Sequence, residues 1–149
     1  MLTEAIAAYA HYLSIFCTLS LLVAEFALFR PRMAAGTVRL LPRLDLLYLV
    51  AVVAIIVTGL LRVFFFAKGA AFYQASEFFW IKMALFVIVG LLSLPPTFAF
   101  IANRKAVVGQ ASDFAPPRFG RIRSFIVAEL AVFALIPLAA TLMARGLTL

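Results

Sequence analysis

One cysteine stands in the whole chain, Cys17, so no intrachain disulfide can form. One histidine stands there too, His11. That excludes bis-histidine ligation within one chain and leaves zinc short of its usual ligand set. Carboxylates are scarce: Asp and Glu number 6 against 13 Lys and Arg, for a net charge of +7. Polar sequence of any length is scarcer still. The 149 residues are 66% hydrophobic, where a soluble domain is nearer half. There is no internal repeat and no low-complexity tract. The first apolar run also lacks the basic n-region of a secretory signal, and Glu4 stands where Lys or Arg would be.

What is present is four apolar blocks, at residues 5–29, 44–66, 78–102 and 125–144. Each meets the requirement of about 20 apolar residues for a span. Only helices satisfy their backbone internally at this length, so the expected fold is all-α. It is an integral membrane four-helix bundle forming one domain over residues 1–149, its main partner the lipid bilayer.

In a soluble protein the excess of cations would suggest nucleic acid; here it follows the positive-inside rule, and no nucleic-acid partner is expected. The first connection holds Arg30, Arg32, Arg39 and Arg43, the third Arg104, Lys105, Arg118, Arg121 and Arg123, and the second only Lys68 against Glu77. Both termini are therefore expected outside, in the periplasm if this is a bacterial inner membrane. The basic loops suit an anionic leaflet. The first of them is expected in the interface, with Pro42 just ahead of the second span. Phe64, Phe65, Phe66, Phe72, Tyr73, Phe78, Phe79 and Trp80 flank the second connection as an aromatic belt or as the mouth of a pocket. Pro95, Pro96 and Pro137 are expected to kink the third and fourth spans.

Period shows which way the few polar residues face. Glu4, His11, Thr18 and Glu25 recur every seven residues, with Ser14 on the same stripe. Asp45, Tyr48, Gly59 and Arg62 share a face of the second span, Lys82, Gly90, Ser93 and Thr97 a side of the third, and Glu129 and Met143 a face of the fourth. Four such faces make a polar seam inside a lipid-facing bundle. Depth splits the seam. At about 1.5 Å per residue, His11, Arg62 and Lys82 come to one level in the outer half, roughly 6–9 Å below the outer ends of their spans. Glu25, Asp45 and Glu129 fall in the inner half near loop arginines, and pairing with Arg43 or Arg121 is expected of them.

The outer set is the candidate binding site. Arg62 and Lys82 either snorkel to the headgroups or turn inward. Turned inward without a counter-ion, they suit a carboxylate- or phosphate-bearing ligand. For His11 three roles stand open: a bond to a neighbouring helix, axial ligation of haem b as the one metal ligand, or a proton relay. Met83 and Met143 are at a depth suited to a second axial ligand.

The strings "AHYLSIF", "VAEFALFRP", "RLDLLYLVAVVAIIVTGLLRVFFFAKG", "FYQASEFFWIKMALFVIVGLLS" and "ELAVFALIPLAATLMARG" resemble a bacterial family of four-helix inner-membrane proteins, catalogued as domain of unknown function 2214. That resemblance covers nearly the whole chain and implies a topology without an activity. A fainter one is to the HemJ-type protoporphyrinogen oxidases, through His11 early in the first helix, Trp80-Ile81-Lys82-Met83-Ala84-Leu85 and the position of Glu129; it implies haem b and porphyrinogen oxidation. The third-helix string here lacks the second histidine often found in that family, and Pro137 is displaced. Three functions compete: a redox or tetrapyrrole-handling protein, an accessory or assembly subunit bound to other membrane subunits or to copies of itself, and a transporter. Transport is the weakest, since four spans without repeats make a poor alternating-access machine.

A reporter fused after Leu149 is expected to be active on the periplasmic side and one inserted near Gly109 on the cytoplasmic side. The opposite pattern overturns the orientation.

Overall fold

The computed structural model describes residues 2–66, 74–107 and 113–146. Four long helices carry the chain: α1 (Leu2–Leu28), α2 (Ala35–Leu61), α3 (Glu77–Ala106) and α4 (Phe119–Ala144). Each is long and apolar enough to cross a membrane. A π-helical turn, Arg62–Phe66, extends α2. α1 packs mainly on α2 and α3 mainly on α4, and α2–α3 and α1–α4 contacts join the two pairs. Lys68, Gly69, Phe72 and Tyr73 of the second connection lie outside the described residues.

The inward faces follow helical spacing. Thr18, Leu22 and Glu25 are the buried residues of α1; Val38, Leu41, Asp45 and Tyr48 lead those of α2; Ile122, Ile126, Glu129 and Phe133 those of α4. Steps of three and four keep each set on one stripe. Outward lie residues such as Leu46, Leu49, Val50 and Val53, all exposed. That inversion suits lipid as the solvent.

The start of α2 differs from the sequence reading. The helix begins at Ala35, and Pro42 lies inside it, where a loop up to residue 43 was expected. The reason is the spacing of Val38 and Leu41, both 1% exposed. They continue the Asp45–Tyr48 stripe backward by two turns and bury apolar surface. Pro42 lacks a donor for the preceding turn, and the helix carries that loss. α3 and α4 likewise run on through Pro95, Pro96 and Pro137.

The apolar core gathers at one end. Leu22, Phe29, Met33, Val38, Leu41, Phe100, Val107 and Ile126 belong to one cluster. Met33 and Phe114 exchange backbone hydrogen bonds of 2.9 and 2.8 Å, an isolated antiparallel bridge. It fastens the first and third connections together beneath that core. Arg30, Arg32, Arg39, Arg43, Arg104, Lys105, Arg118 and Arg121 are all exposed around it, so this is the basic end. The opposite end is thinly packed: between Leu2 and Cys17 no residue is buried. Phe64, Phe65 and Trp80 are exposed there, whereas Phe78 turns in.

Arg123 is the one basic side chain of the third connection that turns toward the bundle. Its Nη1 donates to the Phe29 carbonyl at 2.8 Å and the Phe26 carbonyl at 3.2 Å. Its guanidinium carbon lies 4.1 Å from the Phe26 ring centroid and 5.8 Å from that of Phe119. The acceptors are carbonyls at the end of α1 and just beyond it, which lack intrahelical partners. Arg123→Ala should lower the stability of the detergent-solubilised protein by roughly 1.5–3 kcal/mol, the range for hydrogen bonds to charged groups. Arg123→Lys should restore only part, since an ammonium lacks the planar fork. An unchanged unfolding midpoint for Arg123→Ala would remove this clamp from the account.

Candidate functional site

Two polar clusters occupy the seam, one at each depth. The cluster toward the basic end holds Glu25 of α1, Asp45 and Tyr48 of α2, Thr97 of α3 and Glu129 of α4. Glu25, Asp45 and Glu129 are 2%, 8% and 1% exposed, so all three carboxylates face the interior. The partners of Glu129 and Asp45 are hydroxyls. The Tyr48 hydroxyl donates to Glu129 Oε1 at 2.5 Å and the Thr97 hydroxyl to Asp45 Oδ1 at 2.9 Å. Glu25 Oε1 is buried without a hydrogen-bond partner. The expected pairing with Arg43 or Arg121 is not what forms. Both arginines are exposed, and among the described residues no cation bonds any of the three acids. Arg43 sits on the face of α2 opposite Leu41 and Asp45, and Arg121 is one residue before buried Ile122. Their long side chains reach water or headgroups more readily than the packed interior.

The second cluster lies toward the thinly packed end. His11 Nδ1 is 2.9 Å from Thr58 Oγ1, so His11 does bond a neighbouring helix. The Thr58 hydroxyl itself lies 2.6 Å from the Ala54 carbonyl and 3.2 Å from that of Ile55. A hydroxyl has one proton to give, and the 2.6 Å bond to Ala54 takes it. Thr58 Oγ1 therefore meets the imidazole as an acceptor. The network thus assigns the proton to Nδ1 and the lone pair to Nε2. Gly59 makes room for the ring: a Cβ built there would lie 3.3 Å from His11 Cε1. A larger residue would push the imidazole off α2.

Arg62 and Lys82, both half-buried, lie within electrostatic range of the imidazole, and of each other. The Arg62 guanidinium carbon is 5.6 Å from the Tyr12 ring centroid, and Lys82 Nζ is 5.3 Å from that of Phe79. No described carboxylate bonds either cation. Arg62 opens the π-helical turn, a local widening often found at functional sites. An open, almost wholly apolar groove of about 350 Å³ runs beside the His11–Thr58 bond, lined by Thr3, Ile6, Ala7, Ala10, Thr58 and Leu61. Met83 is exposed, whereas Met143 is buried. Of the two methionines, only Met143 lies inside the bundle. Among the described residues no three His, Cys, Asp or Glu side chains gather as a metal site. Cys17, midway along α1, is exposed.

Thr58 escaped the sequence reading. Its signal was its isolation, as the lone hydroxyl between Leu49 and Leu61. Asn103, buried with Nδ2 unpartnered, carried no such signal. Tyr48 and Thr97 stood on the expected faces, but as partners of one acid each they were not foreseen.

Four apolar helices around a polar seam define a multi-span helical membrane protein. The chain belongs to the family described as predicted membrane protein DUF2214, which matches residues 3–148. No curated protein and no solved structure matches it.

The Tyr48–Glu129 bond gives a direct stability test. Tyr48→Phe leaves the Glu129 carboxyl without its donor in the interior and should cost about 1–3 kcal/mol, the penalty of an unsatisfied buried group. Adding Glu129→Leu to Tyr48→Phe removes both partners and should recover much of the loss. Equal unfolding midpoints for wild type and Tyr48→Phe would show that the bond carries no stability.

Proposed function

We propose that the thinly packed end of the bundle binds an anionic, amphipathic ligand drawn from the membrane. Its carboxylates or phosphate meet Arg62 and Lys82, and its apolar body lies along the α1–α2 groove. One observation carries this reading: His11 is held through Nδ1, with no described group bonded to Nε2, beside two cations that no described carboxylate bonds. Cations half-buried in an apolar bundle call for an anion, and fork-like Arg62 suits a carboxylate or phosphate.

The redox form of the proposal takes an anionic tetrapyrrole such as haem b as the ligand. The residues fit it in donor chemistry. The Thr58 oxygen orients His11 in the manner of an outer-shell partner and leaves Nε2 as the ligating atom. Arg62 and Lys82 suit propionates, and Met143 is an interior thioether. The fainter similarity to HemJ-type enzymes, through the strings at Trp80–Leu85 and Glu129, points the same way. When bound, a haem would supply one-electron chemistry. The alternative is an accessory or assembly subunit without catalysis of its own. It is favoured by the number of interior polar groups already consumed in tying helix to helix. On either reading the protein sits in a bacterial inner membrane with the basic end cytoplasmic and both termini periplasmic, where the excess of loop cations supports that orientation.

The test is the absorbance of the purified protein, as isolated and after addition of haem. A Soret band is expected. His11→Ala should abolish it, and Lys82→Ala should weaken retention by about 1.5–3 kcal/mol, as for a charged hydrogen bond. A protein that stays colourless with added haem would defeat the redox form. Mixed liposomes with and without anionic lipid then test the broader form, which fails if Arg62→Ala and Lys82→Ala leave lipid retention unchanged.

A further inference from the structure

The carboxylate cluster toward the basic end is separate from the His11 site, and nothing in the function proposed above uses it. Asp45 and Glu129 each accept one hydroxyl hydrogen bond, from Thr97 and Tyr48. Glu25 lies within electrostatic range of both acids, is 2% exposed, and has Oε1 buried without a partner. The helix that carries it packs on α2 and α4, and α3 reaches the cluster through the Thr97–Asp45 bond. α1 supplies Glu25 itself and Thr18, whose hydroxyl is spent on the Ser14 carbonyl. α2 supplies Asp45 and Tyr48, α3 supplies Thr97, and α4 supplies Glu129. Arg123, the one cation of α4 that turns inward, gives its hydrogen bonds to the Phe26 and Phe29 carbonyls instead.

Three ionised carboxylates without a cation, in a bundle interior surrounded by lipid, are not sustainable: a buried charge neutralises rather than remain unpaired. A metal ion is not the answer, because the described acids do not gather closely enough to hold one. A proton is. The two acids with hydroxyl donors are those equipped to stay ionised or to share, since a donor stabilises the charged form. Glu25 has an unmatched oxygen and no donor. We infer that Glu25, Asp45 and Glu129 form an intramembrane proton-binding site, with Glu25 as the carboxyl that carries the exchangeable proton and Tyr48 and Thr97 as the groups that hold the other two acids in place.

Loading is a simple association: one proton adds to a Glu25 oxygen and leaves again to water or to a neighbouring carboxylate, with no other bond changed. The site is a reservoir in the membrane interior, next to the basic end. It suits a protein whose task couples to proton uptake or release.

Infrared spectroscopy of the full-length protein in lipid tests this. At neutral pH a carbonyl stretch of a protonated carboxylic acid is expected. It should shift on transfer to deuterium oxide and disappear reversibly as pH is raised. Glu25→Gln should remove it while helix content and unfolding midpoint stay at wild-type level, because a neutral amide replaces a neutral acid. Glu129→Gln should leave the band but move its titration. Absence of the band in wild type overturns the inference. So does a band that neither exchanges nor titrates, which marks a sealed structural acid, or one that survives Glu25→Gln. Loss of haem or lipid binding at the His11 site leaves these outcomes unchanged, so the two proposals fail separately.

Discussion

Lipid tails are as apolar as leucine, so no hydrophobic force presses these helices together once they are in a bilayer. Close packing and a few polar bonds must do it. Such bonds tie helix to helix at four places, and among the described residues only α3 and α4, the most extensively packed pair, meet without one. His11–Thr58 joins α1 to α2, Asp45–Thr97 joins α2 to α3, Tyr48–Glu129 joins α2 to α4, and Arg123 joins α4 to α1. Three of these involve α2, which is therefore the hub. The apolar faces can slide against one another with little change in energy. A hydrogen bond of 2.5–2.9 Å cannot, so the register of all four helices hangs on these contacts.

That same arrangement explains why the two ends differ. Toward the basic end, the bonds to Asp45 and Glu129 are backed by the Phe29–Phe100–Ile126 core and by the Met33–Phe114 bridge. Toward the other end, His11 and Thr58 have little behind them, and α1 is not buried anywhere before Thr18. Rigid packing and open space are thus separated along the membrane normal. The fastened end fixes the helices, and the loose end leaves an open groove between α1 and α2.

Much of this was legible in the sequence. Four apolar blocks of span length gave four helices, and the seven-residue recurrence of His11, Thr18 and Glu25 gave the inward face of α1. The inward direction of Asp45 and Glu129 followed from the same reasoning about period. What the sequence could not give was the partner. A carboxylate in lipid must be neutralised, and loop arginines were the nearest cations along the chain. Spacing along a helix says which face a residue takes, not which residue 50 or 80 positions away comes opposite. Tyr48 and Thr97 won because they lie at the depth of the acids, whereas arginine side chains near a membrane surface leave for water. The early start of α2 was hidden for a different reason. Arg39, Pro42 and Arg43 look like a loop, and only Val38 and Leu41 together carry the helical stripe. The π-helical turn at Arg62 has no sequence signature here at all.

The hub position of α2 also bears on how the chain is made. The first helical hairpin leaves the ribosome before α3 and α4 exist. Until they arrive, Asp45 lacks Thr97, Tyr48 lacks Glu129, and the end carbonyls of α1 lack Arg123. A half-made protein therefore shows the bilayer a carboxyl, a phenol and two bare carbonyls, all hidden at completion. Such a surface is a recognisable mark of immaturity, available to membrane chaperones and proteases alike. The second hairpin erases it in a single docking event, so the finished bundle and the orphaned half are chemically distinct objects to the cell that inspects them.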